Sequence, residues 1–363
     1  MNKRTLALIA GPALFTALSL WPESVNNGQL TMLGVLLWML IWWISNAVPI
    51  GVTSLLPMIL FPLTGILDLK GTTANYANPI IYLFFGGFVL GLALEKWQLH
   101  KRIALNIMKA AGESPQRIIL GSMLATAVLS MWISNTATTV MMLPIGMSVV
   151  SLLQQKIDNP KTTRNFGVTL MLGIAYAANL GGMATLIGTP PNLVLAGLVE
   201  EAGLPALGFA NWLFFALPLV ILLFAMVYLL NTKVFFKLRL PQLSGFGQLI
   251  KNELRELGRM STAEKRVLVV LSSTALLWIF RAQLNQWAPL ANLSDTIIAI
   301  TAAVVLFVSP SGNSLAKPLL DWADMTKLPW GILLLFGGGI SLAKGMETTQ
   351  MVDTVGLWIS SAN

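Results

Sequence analysis

The groups able to do chemistry inside the apolar runs of this sequence are neutral oxygens rather than charges. Ser130-Met131-Trp132-Ile133-Ser134-Asn135-Thr136-Ala137-Thr138-Thr139 sets hydroxyls and a carboxamide between two apolar stretches, 118–133 and 137–153. Ser, Asn and Thr favour helix N-caps, where a side-chain oxygen accepts from an otherwise unpaired N–H. A turn at 134–136 would start a new helix there, with its free N–H groups and positive dipole end facing the turn. That makes an anion site without an arginine. The hydroxyls of Ser130 and Ser134 and the carbonyl oxygen of Asn135 are hard donors, suited to a small cation. The competing reading is an ordinary helix pair whose Ser and Thr bond back to their own carbonyls; the residues alone leave both open.

A second polar stretch is Ala178-Asn179-Leu180-Gly181-Gly182-Met183-Ala184-Thr185-Leu186-Ile187-Gly188-Thr189-Pro190-Pro191-Asn192. Proline lacks the N–H that a helix interior needs and pushes the preceding residue out of the α region. Gly188-Thr189-Pro190-Pro191 is therefore expected to break a helix, and a new one can begin with proline in its first turn. Unwound carbonyls near Gly188 would then be free for sodium, and the Thr189 hydroxyl for a substrate. A proline-kinked helix without a ligand is the alternative. Two broken elements in one half of a membrane chain together point to a binding site.

The surrounding elements must be membrane helices. Of 363 residues, 55% are hydrophobic and only 10% charged, against about 25% charged in soluble domains. Mean hydropathy is +0.73. This excludes a disordered chain, a nucleic-acid binder and an ordinary soluble enzyme as leading readings. The net charge of +8 reads as basic loops beside a membrane. With no Cys, disulfides and thiolate chemistry are absent, and the single His100 leaves no histidine cluster. The twelve Trp suit interfacial belts.

Candidate spans fall near 5–21, 30–48, 51–67, 79–95, 118–133, 137–153, 166–187, 207–230, 267–283, 294–309 and 329–343, with 348–361 weaker. The first could be a signal peptide, but its apolar run is long for one, so it is read as a helix. With a cytoplasmic N-terminus, the loops 1–4, 96–117, 155–165, 231–266 and 310–328 are also cytoplasmic. They then hold all of the 23 Lys and Arg except Lys70, Arg281 and Lys344, as the positive-inside rule requires. Outside loops carry Glu23, Asp68, Glu200 and Glu201. Charge alone does not separate a re-entrant hairpin at 118–153 from two full spans. The stretches 96–111 and 246–260 are amphipathic and read as helices on the cytoplasmic face, apolar side toward lipid tails.

Phe85-Gly86-Gly87 recurs as Phe336-Gly337-Gly338, an offset of 251 residues, each in an apolar run that begins just after a proline, Pro79 or Pro329. Upstream, Ile59-Leu60-Phe61-Pro62 is loosely matched by Val305-Leu306-Phe307-Val308. The assigned topology gives the two copies opposite directions, the pattern of inverted-repeat transporters.

Ser134-Asn135-Thr136-Ala137 with Gly188-Thr189-Pro190-Pro191-Asn192 resembles the divalent anion/sodium symporter family, the sodium-coupled dicarboxylate carriers of the ion-transporter superfamily. Trp42-Trp43 before Pro49 and the two Phe-Gly-Gly runs also match. The resemblance covers nearly the whole chain. It implies an all-α polytopic inverted-repeat transporter with a re-entrant helical hairpin and a broken helix. It further implies a homodimer whose static scaffold frames an elevator-like transport domain, with interfacial helices in contact with membrane lipid. On that pattern 1–115 is scaffold, 116–206 carries the hairpin and unwound helix, 207–266 connects, and 267–363 is part of a second repeat.

By the same resemblance sodium is held by Ser130, Ser134, Asn135 and Gly188, and a small dicarboxylate such as succinate by Asn135, Thr136, Thr189 and Pro190. The family carries a second hairpin and a second unwound helix. The repeat offset would place that hairpin beyond Asn363, and no Ser-Asn-Thr occurs in 329–363. The sequence is thus expected to hold one full repeat and part of another, and as written to leave the substrate site incomplete and inactive.

The reading is a sodium symporter of the bacterial inner membrane, not an enzyme and not a nucleic-acid binder. No phosphate-binding Gly-x-x-x-x-Gly-Lys-Ser/Thr run occurs, so an ion gradient must supply the energy. No Asp, Glu or His lies at the site to carry a proton, which favours sodium. The alternatives are a sulfate or arsenite permease of the same superfamily, or a nonfunctional fragment or regulatory partner of an intact paralogue. A membrane-embedded enzyme would need a Ser–Lys, paired-Asp or His–Asp set within the bilayer, and the sequence offers none.

Overall fold

The structure is a computed structural model, and it describes residues 2–21, 27–201, 203–236, 242–312, 317–354 and 356. The described residues are helical, with no strand among them. In chain order the α-helices are α1 (Lys3–Ser19), α2 (Asn27–Ser45), α3 (Ile50–Thr53), α4 (Leu56–Thr64), α5 (Leu69–Tyr76), α6 (Pro79–Lys96), α7 (Leu99–Ala111), α8 (Pro115–Ser130) and α9 (Asn135–Lys156). They continue as α10 (Pro160–Ala184), α11 (Pro190–Glu201), α12 (Phe209–Leu229), α13 (Phe246–Glu256), α14 (Thr262–Ile279), α15 (Arg281–Leu284), α16 (Asp295–Val308) and α17 (Trp330–Thr348). Glu23 lies outside the described residues, as does part of 348–361.

Helix starts follow local chemistry. Ser114 and Asn159 cap α8 and α10 by accepting from Arg117 and Thr162 N–H, and each is followed by a proline at the first helical position, where a missing N–H does no harm. Ser261 and Glu264 form a reciprocal capping box on α14.

Among the described residues, five stretches are long and apolar enough to cross a membrane: Gly28–Ser45, Leu69–Lys96, Asn135–Lys156, Pro160–Ala184 and Phe209–Phe235. The span expected at 51–67 is instead two short helices, α3 and α4, parted at Ser54 and Leu55. Pro57 explains this, since it cannot donate back to Thr53. Helix α8 has 16 residues, about 24 Å at 1.5 Å per residue, which is short of a bilayer core of about 30 Å.

The chain divides into two compact units, 1–82 with 329–363, and 83–328. In the first, α17 lies against α3: a Cβ on Gly338 would come within 2.7 Å of the Ser54 carbonyl oxygen, and one on Gly51 within 2.9 Å of Gly331 Cα. In the second, Gly86 of α6 meets Ala299 of α16, at 2.6 Å from a built Cβ. If 59–62 and 305–308 correspond, the Gly-Gly helix of each repeat packs on the other repeat's preceding element. That reciprocal exchange supports the repeat reading.

The core of the second unit gathers around α8, buried at Ile118, Ile119, Met123, Ala125 and Leu129 and flanked by Val149 and Leu153 of α9 and Phe166, Leu170 and Ile174 of α10. Helices α7 and α13 also serve this core. Leu105 and Met108, and Phe246 and Ile250, are buried in it. The apolar faces expected to meet lipid tails are therefore covered by protein. The reason is that α8 is buried along nearly its whole length, from Pro115 to Ser130, and needs cover on every side. Their charged faces pair instead: Lys101 Nζ lies 2.8 Å from Glu253 Oε2.

Arg102 grips Glu264 with Nε 2.7 Å from Oε1 and also donates to the carbonyls of Leu257 and Gly258. This ties the α13–α14 link to α7, ahead of the α14 span. Burial alone would raise the Glu264 carboxyl. The Arg102 and Ser261 hydrogen bonds together outweigh it and hold the group below its ordinary value of 4.5. A depressed carboxylate contributes stability that is complete above its unfolded pKa and is lost as pH falls through the folded one. Glu264→Gln is accordingly expected to shrink the melting difference between pH 7 and pH 4, and an unchanged difference would refute the assignment. Two of the three cations outside the basic loops are also paired. Arg281 Nε lies 2.9 Å from Asp295 Oδ1, and Lys344 Nζ 2.7 Å from Glu347 Oε2.

Candidate functional site

Two interruptions meet in the second unit, one between α8 and α9 and one between α10 and α11. At the first, α8 ends at Ser130, Met131 to Ile133 turn, and extended Ser134 restarts the chain as the N-cap of α9, accepting from Ala137 N–H at 3.3 Å. The turn that the hydroxyl-rich stretch implied is formed. The back-bonding alternative holds only in part. Ser122 and Thr126 do donate to the carbonyls one turn earlier. Ser130, the next residue on that face, donates instead to Asn135 Oδ1 at 2.8 Å.

At the second, extended Thr185 ends α10, and α11 begins at Pro190. The Thr185 hydroxyl donates to the Met131 carbonyl at 2.6 Å, which ties the helix break to the hairpin turn. Asn192, buried, donates its amide protons to the carbonyls of Gly182 at 2.9 Å and Thr185 at 2.7 Å. The break would otherwise leave the Gly182 carbonyl unpaired in an apolar setting, at a cost of about 1–3 kcal/mol, and the Thr185 carbonyl with the Gly188 N–H as its remaining donor at 3.3 Å. Asn192→Leu is expected to lower the melting temperature more than any exposed substitution nearby, by a free energy on the order of 1–3 kcal/mol for the Gly182 carbonyl left unpaired. Thermal denaturation in detergent measures it, and a melting temperature within a degree of the wild type would refute the role.

Small residues let these parts meet. A Cβ on Gly182 would stand 2.2 Å from Asn135 Oδ1, and one on Gly188 would stand 2.5 Å from the Gly182 carbonyl oxygen. One on Gly181 would strike the Ala127 carbonyl oxygen at 2.2 Å. The Phe-Gly-Gly helix beds both tips: Gly87 faces Ile187 and Gly91 faces the Trp132 carbonyl. Trp132 in turn stacks on Trp278, with centroids 6.5 Å apart, and Trp278 on Phe209 at 4.6 Å.

Of the residues expected to hold sodium, Ser130 and Asn135 are in direct contact, and Gly188 is joined to Asn135 through Gly182. Ser134 lies beside them in the turn, exposed, with its oxygen engaged in the cap. Thr136 is exposed, and Thr189 and Pro190 are half-buried. They stand at the starts of α9 and α11, and among the described residues no side-chain hydrogen bond joins Thr136 to Thr189. The two helix starts differ chemically. In α9 the amides of Asn135 and Thr136 have no acceptor within the helix. In α11 the first two positions are Pro190 and Pro191, which have no N–H to offer. Of the two helices' first turns, that of α9 therefore offers an anion the free backbone donors of Asn135 and Thr136, which Pro190 and Pro191 cannot match.

Three residues not singled out by the sequence complete the arrangement: Asn179, Thr185 and Asn192. Asn135 Nδ2 donates to Asn179 Oδ1 at 3.1 Å, and Asn179 Nδ2 donates to the Ala175 carbonyl at 3.2 Å. The asparagines stand within the polar stretches already noted. Their closeness to an expected ligand was the available signal, since Asn192 follows Gly188 by about one helical turn.

Residues 2–362 match the family described as the sodium:sulfate symporter transmembrane region. The chain is 40% identical over 358 residues to the sodium-dependent dicarboxylate transporter SdcS of Staphylococcus saprophyticus, covering 97% of this chain and 69% of that protein. It is 40% identical over 365 residues to the transporter of the same name from Staphylococcus aureus strain MW2, covering 99% of this chain and 70% of that protein.

Proposed function

The chain belongs to the sodium:sulfate symporter family, and on that premise we propose that it carries a small dicarboxylate, the size of succinate, together with sodium. It is an integral membrane protein of a transporter family, and its relatives at 40% identity are named as sodium-dependent dicarboxylate transporters. The observation that carries the reading is the contact of Ser130 with Asn135 and of Asn135 with Gly182, beside Gly188. It gathers neutral hard oxygens and no carboxylate, which suits an alkali cation whose charge is then available to a dianion.

Sodium is held by Ser130, Ser134, Asn135 and the Gly188 carbonyl. The dicarboxylate meets Asn135, Thr136, Thr189 and Pro190, with the amides at the α9 start as further donors. Coupling follows because Asn135 faces both ligands. The cation orders Asn135 and the turn, and its charge offsets the repulsion that a dianion would otherwise meet. The hairpin is re-entrant, and 116–206 moves as one elevator-like body against scaffold from 1–115 and 267–363, with 207–266 connecting. The Thr185–Met131 and Asn192 bonds support the first part of this, since they make hairpin and broken helix one piece. Protomers pair as a homodimer in a bacterial plasma membrane with the N-terminus cytoplasmic, which the basic loops favour.

Uptake of labelled succinate into proteoliposomes under an inward sodium gradient, by a version of the chain that carries the second hairpin and unwound helix, tests the proposal. Accumulation with sodium and none with choline is expected. Equal uptake in both, or none in either, contradicts it. Excess sulfate should compete less well than succinate; stronger competition by sulfate would make the inorganic anion the substrate.

A further inference from the structure

We infer that Asn179 is a positioning residue for the cation site, and that it acts by fixing the direction of a hydrogen-bond relay. The inference rests on the sodium reading given above. The relay has only one consistent direction. The Ala175 carbonyl can only accept, so the Asn179 amide must turn Nδ2 toward it. Asn179 then presents Oδ1, which can only accept, to Asn135. Asn135 must therefore offer Nδ2 on that side and Oδ1 on the other. Ser130, fully buried, meets Oδ1 and must donate to it.

The consequence lies at the Ser130 end. Its one proton is directed into Asn135, so the remaining directions around Ser130 Oγ are lone pairs. Asn135 Oδ1 likewise retains an acceptor direction beside Gly182. Every proton in the relay runs toward Ala175, and every free lone pair is left at the turn. A cation requires that polarity. Reversing either amide would put N–H groups where the cation sits. Ser122 and Thr126, two and one turns earlier on α8, point their protons into their own helix. Ser130 departs from that pattern where the relay begins. Asn179 itself is exposed, so its role is not that of a core residue.

The test uses the purified chain in detergent. Thermal stabilisation is titrated with sodium chloride against choline chloride at fixed ionic strength, which reads binding without transport. Asn179→Leu removes the anchor and frees the Asn135 amide to reverse. The sodium concentration for half-maximal stabilisation is expected to rise about five-fold, the scale of one neutral hydrogen bond. Its melting temperature in choline should match the wild type. Asn179→Asp keeps an acceptor toward Asn135 and should restore half-saturation to the wild-type value or below. Wild-type half-saturation in Asn179→Leu would overturn the relay, as would equal weakening by the Asp variant. Asn135→Ala separates the two ideas. If it abolishes the sodium effect while Asn179→Leu does not, the site stands and the relay falls. If the wild type itself shows no sodium-specific stabilisation, the sodium reading falls and the relay with it.

Discussion

Asn135→Ala is expected to remove sodium-specific binding, with at least a roughly 30-fold loss of affinity. Asn135 is the one side chain at which the parts of the site converge. It accepts from Ser130, donates to Asn179 and lies against Gly182. Its removal deletes a ligand oxygen and frees the Ser130 hydroxyl to bond back to its own helix, as Ser122 does. Hydrogen bonds to charged groups are worth about 1.5–3 kcal/mol, and two oxygens are affected. The fold should survive. Asn135 opens α9, but the capping oxygen belongs to Ser134, and the amide is only half-buried. Sodium titration of the melting temperature checks the first statement and the melt in choline checks the second. A variant that still responds to sodium at wild-type concentrations would exclude Asn135 from the ion site.

The second large effect separates two adjacent glycines. Gly181→Ala would drive a methyl group into the backbone of Ala127, at 2.2 Å from its carbonyl oxygen and 2.6 Å from its Cα. Backbone cannot rotate aside, so α8 and α10 must part. The expected loss is at the upper end of overpacking costs, about 3 kcal/mol or more, seen as a much lowered melting temperature with or without sodium. Gly182→Ala meets a side chain instead, the Asn135 carboxamide at 2.2 Å. The amide can swing away, so the melt in choline should change little while sodium affinity falls about as far as in Asn135→Ala. Equal damage to fold and binding by both variants would show that Gly182 serves packing alone.

Much of the site was legible because its chemistry is local. Ser134 and Asn135 follow an apolar run and precede another, which is the pattern of a capped helix start, and Pro190-Pro191 admits no continuous helix. What was hidden depends on distance in sequence. Asn192 satisfies carbonyls ten and seven residues earlier, and Thr185 reaches Met131 across 54 residues. Nothing in composition or periodicity announces such partners. The same limit explains the amphipathic stretches. A helix with one apolar face looks alike whether lipid or protein will cover it. Here the core around the buried α8 claims the faces of α7 and α13. The single span expected at 51–67 neglected Pro57, whose missing N–H parts α3 from α4. By contrast the Gly-Gly pairs of α6 and α17 are visible as a repeat, and one glycine of each, Gly86 and Gly338, sits against the backbone of a neighbouring element.

The most direct measurement is equilibrium binding of radiolabelled sodium to the purified protein, with and without Asn135→Ala. The account predicts saturable binding, competed by unlabelled sodium far better than by potassium, and lost in the variant. Saturable binding that survives the loss of Asn135, or no saturable binding to the wild-type chain, would contradict a cation held between the hairpin turn and the broken helix.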